Sequence, residues 1–414
     1  MSTLIKPFRG LRPVPDSAAD VAAPPYDVLN TEEARERASG RPLSFLHISK
    51  PEIDLPAGTN PYSPEVYAKG AENLRHLIDE GALIRDDSRC YYAYRLTMGA
   101  HAQTGLVCVA SIADYDTNRI RKHELTQPKK EDDRVRQITA LNAQTGPVLL
   151  TYRSSDEVKS ILEEVTGGEP LYDLVADDGI GHRLWMIDNP EFIERLTSLF
   201  DNMNALYIAD GHHRSASASR VAAARNADNP AHTGDENYNY FLCVAFPHDE
   251  TQILDYNRVI NDLNGHTGTE LLQKIGEQFS VVPVNERAHP DRPAQFGMYL
   301  DKQWYRLEIR PELIPADAPV ASLDISLLQK YLIGPLLGIE DQRTDDRIDF
   351  VGGIRGLMEL EQRVDSGEMK IAFALYPTSM EALMAVADAN EVMPTKSTWF
   401  EPKLADGLVS HVLD

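Results

Sequence analysis

The sequence predicts a mixed α/β (α+β) protein with a larger N-terminal and a smaller C-terminal domain, and three features of the chain carry that reading. Short apolar runs with strand character alternate with helical stretches along most of the 414 residues. Midway, the apolar run Ala205–Ala209 meets Asp210-Gly211 and then the Ala-rich segment Ser215–Arg225, which holds no Gly or Pro. That order places a strand end, a turn and a helix start in succession. Finally, Asn264-Gly265-His266-Thr267-Gly268 interrupts the pattern, so the expected domains are residues 1–263 and 264–414.

Composition narrows the function classes. With 42% hydrophobic and 25% charged residues the chain is globular and long enough for two or three cored domains. A formal net charge of −23 argues against non-specific DNA binding, which needs a positive surface to release counterions, and no nucleic-acid partner is expected. Met1–Arg12 has no apolar signal core and no later run reaches the length of a membrane span. The expectation is a cytoplasmic protein with no membrane partner. Cys90, Cys108 and Cys243 are an odd number without C-x-x-C spacing, so neither a disulfide framework nor a zinc ribbon is implied. The oligomeric state stays open, a homodimer included.

Taken in order, Pro7–Pro13 and Ala23–Val28 are dense in Pro, Arg and aromatic residues. Proline fixes φ and keeps its predecessor out of the helix, so Arg9, Arg12, Tyr26 and Asp27 should lie on strand-edge or loop backbone. Such loops carry function about as often as they form a packed arm. Thr31–Ala38 reads as a short capped helix, and Pro64–Glu80 as an amphipathic one with Val66, Leu74, Leu77 and Ile78 on one face. Cys90–Leu96 and Leu106–Ile112 alternate as a hairpin about Gly99. The polar stretch His123-Glu124-Leu125-Thr126 then leads into a helix that ends at Leu141, and Gly146–Tyr152 is a further strand. Helix 155–165, a strand at 182–187 and helix 190–200 precede the focal turn. The Tyr240–Phe246 strand is expected beside the one that ends at Asp210. Beyond residue 268, helix 271–279 and strands at 281–284, 297–300 and 304–309 are followed by helix 324–337 and another strand-helix alternation. The tail Met393–Leu404, with Lys396 in it, is a lid, a second ligand contact or a docked end.

The Asp210–Ser215 stretch has the makings of an anion site. Gly211 lets backbone approach a ligand, the first helical N–H groups are unpaired, and the helix dipole places about half a positive charge there. Arg214 offers a planar fork suited to phosphate, His212 and His213 offer donors or metal ligands, and Asp210 offers a carboxylate for a divalent ion such as Mg²⁺. The bland alternative is an ordinary Asp-Gly turn with a solvated His pair. A zinc site is less favoured, since neighbouring His side chains diverge and no Cys pair or His-Glu-x-x-His completes it.

Together PFRGLRP, APPYDV, HELT with KKEDDR, TGPVLLTY, ADGHHR and MPTKSTWFEPKL resemble the domain-of-unknown-function 1015 family over nearly the whole chain. The middle also resembles the ParB/sulfiredoxin-like fold in element order. The resemblance implies a nucleotide-binding core, in which Gly211-His212-His213-Arg214, with Ser215, stands where the phosphate-holding turn of sulfiredoxins lies. That turn here lacks the sulfiredoxin Cys, so sulfinic acid repair is not implied. It also implies kinship with free-serine kinases, and Glu124 matches the glutamate that acts there as base for the substrate hydroxyl. His123, Thr126, Arg134, Arg9, Tyr26, Asp27 and Lys396 are the candidate substrate contacts. The insertion between Tyr152 and Tyr207 departs from that pattern and leaves the substrate open.

The function this resemblance implies is that of a small-molecule kinase. It would take ATP or ADP with Mg²⁺, Glu124 and Asp210 as catalytic residues and a small hydroxyl compound, foremost free L-serine, as acceptor. Two alternatives stay open: a nucleotide-binding switch or partitioning-type module, and a metal-dependent phosphohydrolase with Asp210, His212 and His213 as ligands.

Overall fold

The computed structural model describes residues 3–414, and its largest element is a nine-stranded mixed sheet. From one edge the strands run Ile120–Arg121, Leu206–Asp210, Val148–Tyr152, Tyr240–Pro247, His101–Ser111, Tyr91–Met98, Gly181–Ile187 and Tyr172–Val175, while Ile5–Lys6 pairs with His101–Ser111. Two pairings are parallel, Leu206–Asp210 on Ile120–Arg121 and Tyr240–Pro247 on Val148–Tyr152. Every residue of Val148–Tyr152 and of Tyr240–Pro247 is buried. This is why both read as unbroken apolar runs: a strand covered on both faces has no polar side to alternate with.

The expected neighbour of Tyr240–Pro247 is corrected by this order. Val148–Tyr152 lies between it and Leu206–Asp210, antiparallel to the latter. Pairing between strands so far apart in sequence leaves no local signal. The Tyr91–Met98 and His101–Ser111 hairpin, by contrast, forms with Gly99 at φ 59° as the residue pattern predicts.

Two helices cover the end of this sheet that carries the turn. Pro128–Leu141 begins with Pro at its first turn and ends at Asn142 in the left-handed region. His212–Asp228 packs against it. Ser217 donates from Oγ to the Glu131 carbonyl at 3.1 Å, and the small residues Ala216, Ser217 and Ala218 allow that approach. Ile138, Ile208, Ala218 and Val221 join one core with Leu150 and Cys243, each fully buried apolar side chain contributing roughly 1.5–3 kcal/mol.

The chain divides into two compact units, one taking in the chain up to Thr251 together with Pro402–Asp414, the other Gln252–Glu401. The expected boundary after residue 263 therefore moves to Thr251, and the last residues return to the first unit. The reason is a strand. Ser410–Val412 inserts between Gly10–Pro13 and Ala143–Gln144 in a four-stranded sheet completed by Leu83–Arg85.

The second unit is built on a six-stranded antiparallel sheet, in the order Phe279–Val284, Gln303–Ile309, Gln295–Leu300, Ile371–Leu375, Tyr256–Ile260 and Ile348–Gly352. A single helix over 324–337 is not what forms there. Asp324–Leu328 passes through a π-helical turn, Gln329–Ile333, into Gly334–Leu337, because Pro335 lacks an N–H and its ring crowds the preceding turn.

Candidate functional site

The register Leu206↔Ile120 and Tyr207↔Arg121 makes the edge strand and its parallel neighbour leave the large sheet at the same end. One continues into Lys122, His123 and Glu124, the other into Asp210 and Gly211. The second also shifts register between Ile208 and Asp210, a bulge that re-aims the residues beyond it. Hence two loops more than eighty positions apart meet. The His123, Glu124 and His212 ligand atoms all lie within 4.8 Å of one another, and the His123 and His212 rings meet edge to face at 4.5 Å.

Gly211 is the helix N-cap at φ 101° and ψ 29°, and its carbonyl accepts from the Arg214 and Ser215 N–H groups at 2.9 and 3.1 Å. Gly211 rather than Asp210 therefore starts the helix, and only glycine takes that backbone without strain. Arg214 folds back beneath the turn. Its Nη1 donates to the Pro147 carbonyl, and its Nη2 stands 3.7 Å from Asp210 Oδ2. Lys403 Nζ stands 3.3 Å from the same oxygen. Burial opposes ionisation of Asp210, but Lys403 and Arg214 outweigh it and hold the carboxyl well below its usual range. Burial likewise opposes the charge on Arg214, and Asp210, Asp27, Tyr26 and Asp406 outweigh that too.

The His pair faces the protein. His213 Nε2 accepts from the Gln127 N–H at 3.0 Å, and His212 Nε2 takes a longer contact from the His123 N–H at 3.4 Å. Both thus connect the Glu124 loop to the helix start. Ser215 is fully buried, and its hydroxyl donates to the His212 carbonyl at 3.1 Å. Thr126 donates to the Glu131 carboxylate and so ties its loop to the next helix.

The remaining candidates divide by place. Tyr26 and Arg134 line a cavity of about 30 Å³ together with Gly146, Arg214 and Asp406, room for about one water. The Arg134 guanidinium lies 3.9 Å from the centre of the Tyr26 ring and 2.7 Å from Asp133 Oδ2. Burial pushes the Tyr26 hydroxyl up to about 12, and Asp27 is near enough to act on Tyr26, His213 and Arg214. Arg9 is elsewhere. It donates to the Asp86 carbonyl at 2.8 Å and lines a separate cavity with Arg85, Arg89 and His411. Lys396 belongs to the second unit, where its ammonium lies 5.6 Å from the Tyr256 ring centre.

Lys403 and Asp406 are functional candidates that sequence reasoning misses. Asp406 is buried beside Arg214 and Arg134, and burial raises its carboxyl to about 7. The tail motif around Lys403 is visible in the sequence, but a contact across 193 positions has no signature in local pattern.

Several solved structures share features with this chain at low similarity. A free serine kinase in complex with AMP is 13% identical with a TM-score of 0.36, covering 73% of this chain and 92% of its own. A conserved hypothetical protein from Pyrococcus furiosus is 13% identical at a TM-score of 0.34, covering 73% and 94%. SbnI with a C-terminal truncation, from Staphylococcus aureus, is 12% identical at 0.37, covering 72% and 85%. No curated protein matches the chain. A family model described as "Protein of unknown function (DUF1015)" matches residues 5–326, which is most of the chain, and the protein therefore belongs to the DUF1015 family.

Proposed function

We propose that this protein is a nucleotide-dependent phosphotransferase that moves a phosphoryl group from ATP or ADP to the hydroxyl of a small molecule, with free L-serine as the first acceptor to test. The observation that supports it most is the meeting of Glu124 with the Asp210–Arg214 turn at the end of two parallel strands. Phosphoryl transfer asks little covalent work of a protein: cations on the non-bridging oxygens and a carboxylate on the attacking hydroxyl. The helix start after Gly211 supplies N–H groups, while Arg214 and Lys403 supply cations. Asp210 holds both cations in place. Glu124 takes the proton as the acceptor oxygen bonds to the terminal phosphorus, and the bond to the leaving nucleotide breaks with its electrons.

Magnesium fits this donor set in a limited way. Asp210 is the carboxylate at the turn, and one carboxylate plus phosphate oxygens is an ordinary Mg²⁺ environment. When bound with nucleotide, the ion would supply charge neutralisation on the phosphates. The phosphohydrolase alternative needs Asp210, His212 and His213 as a ligand set. Among the described residues the ligand atoms that lie close enough together to share an ion are those of His123, Glu124 and His212, not those of Asp210, His212 and His213, which disfavours it.

The test incubates purified protein with ATP or ADP, Mg²⁺ and a panel of hydroxyl compounds, reading products by phosphorus NMR. A new phosphomonoester, O-phosphoserine first among them, supports transfer. Nucleotide binding with no product across the panel leaves a nucleotide-responsive switch as the better account.

A further inference from the structure

Phosphate chemistry leaves one part of the site unused. His123 is 2% exposed, and among the described residues neither of its ring nitrogens has a hydrogen-bond partner. A buried imidazole without partners is costly, and natural proteins seldom keep one without a use. His212, 5% exposed, presents its ring to His123, and half-buried Glu124 completes the group. Two imidazoles and a carboxylate are a recurrent ligand set for zinc and its first-row neighbours.

We propose that His123, Glu124 and His212 form a binding site for a divalent transition-metal ion of the zinc class, with coordination left over for water. The ligand atoms already lie within 4.8 Å of one another. Around a tetrahedral zinc ion they would stand roughly 3.3–3.5 Å apart, so closure takes only small side-chain rotations. The contact that would yield is the 3.4 Å approach of the His123 N–H to His212 Nε2, already long for a hydrogen bond. The Ile208 backbone lies near the His123 ring and does not reach hydrogen-bonding geometry. The sequence alone offers Asp210 for a divalent ion, joined by His212 and His213 only in the phosphohydrolase alternative. The convergent set instead takes its other two ligands from the preceding loop.

The site stands whether or not the protein transfers phosphate, since it is read by metal binding itself. It does bear on that chemistry, because a carboxylate bound to an ion cannot also accept a proton. Zinc should therefore slow any turnover that Glu124 supports, and a chelator should restore it.

The experiment uses tag-free, chelator-stripped, full-length protein in equilibrium dialysis against Zn²⁺, and Co²⁺ loading followed by visible absorption. One ion per chain is expected, with the intense d–d bands of a four- or five-coordinate nitrogen and oxygen site for Co²⁺. Glu124→Gln, at a half-buried position, and His123→Asn should each weaken zinc by at least about 10²-fold, with circular dichroism unchanged. If His123→Asn fails to fold, Glu124→Gln and the wild-type cobalt spectrum still decide. Zinc binding unaltered by Glu124→Gln, or a wild-type cobalt spectrum of a hexa-aqua type, overturns the proposal.

Discussion

Replacing Gly211 by alanine tests the turn most directly, because two separate penalties meet at one atom. An L-residue at φ 101° and ψ 29° costs about 1–3 kcal/mol of backbone strain. The new Cβ would also stand 3.0 Å from Arg214 Nε and 3.1 Å from its Cζ. That guanidinium cannot swing freely aside, since Nη1 is held by the Pro147 carbonyl and Nη2 faces Asp210. Backbone strain alone predicts a drop in Tm of roughly 2–12 °C, at 2–4 °C per kcal/mol for a unit of this size. Displacing Arg214 by a few tenths of an ångström predicts, in addition, nucleotide binding weaker by about 5- to 30-fold, equivalent to 1–2 kcal/mol. Differential scanning fluorimetry and isothermal titration read the two effects separately. Gly211→Asn separates their causes. Asparagine tolerates positive φ better than alanine, so it should recover part of the Tm while leaving the affinity loss, which comes from the Cβ. An alanine variant within about a degree of wild type, binding nucleotide as wild type does, would refute both the strained turn and the role of Arg214.

Four further outcomes are expected from the same geometry. Glu124→Gln should lower kcat by roughly 10²–10⁴ while nucleotide affinity survives; equal loss in both, by titration and turnover, would assign Glu124 to binding. Arg214→Lys keeps the charge but loses the fork, and should weaken nucleotide binding about tenfold, with unchanged titration curves counting against a phosphate clamp. Lys403→Met removes the cation 3.3 Å from Asp210 and should raise KM for nucleotide several-fold with a smaller effect on kcat, since that charge is felt by bound and reacting phosphate alike; a wild-type KM would make Lys403 a structural partner only. Asp406, raised from 3.8 to about 7, binds its proton more tightly folded than unfolded, so its contribution to stability is greatest below about pH 4 and is lost as pH climbs to about 7. Asp406→Asn should therefore gain on wild type across that window by up to about 4 kcal/mol, and a gap in denaturant midpoint that stays constant from pH 4 to 8 would count against it.

Residues alone reveal whatever is decided within a few positions. Thr31–Ala38 forms as expected because Asn30 and Glu33 make a capping box. The Gly99 hairpin and the strand, turn and helix around Gly211 rest on equally local chemistry. Long-range pairing is hidden, and with it the strand order and the return of Ser410–Val412 to the first unit. The role of the His pair is hidden for a related reason. Residue type shows that an imidazole can accept or donate, but only the fold shows that the nearest partners of His212 and His213 are the backbone N–H groups of His123 and Gln127.

Those two contacts change how the site should work. If His212 and His213 had faced a ligand, the turn would be a self-contained phosphate cradle and the Glu124 loop a separate part. Instead the first residues of the helix hold the loop that carries Glu124, while Arg214 and Lys403 meet on Asp210 below. A phosphate arriving at the helix start would draw both cations toward itself and loosen their hold on Asp210. The helix start would feel that change, and so would the loop fastened to it. If the protein is the phosphotransferase proposed above, occupancy of the turn and the position of Glu124 would be linked through groups in direct contact rather than through the sheet, so that the carboxylate is set only when nucleotide is present.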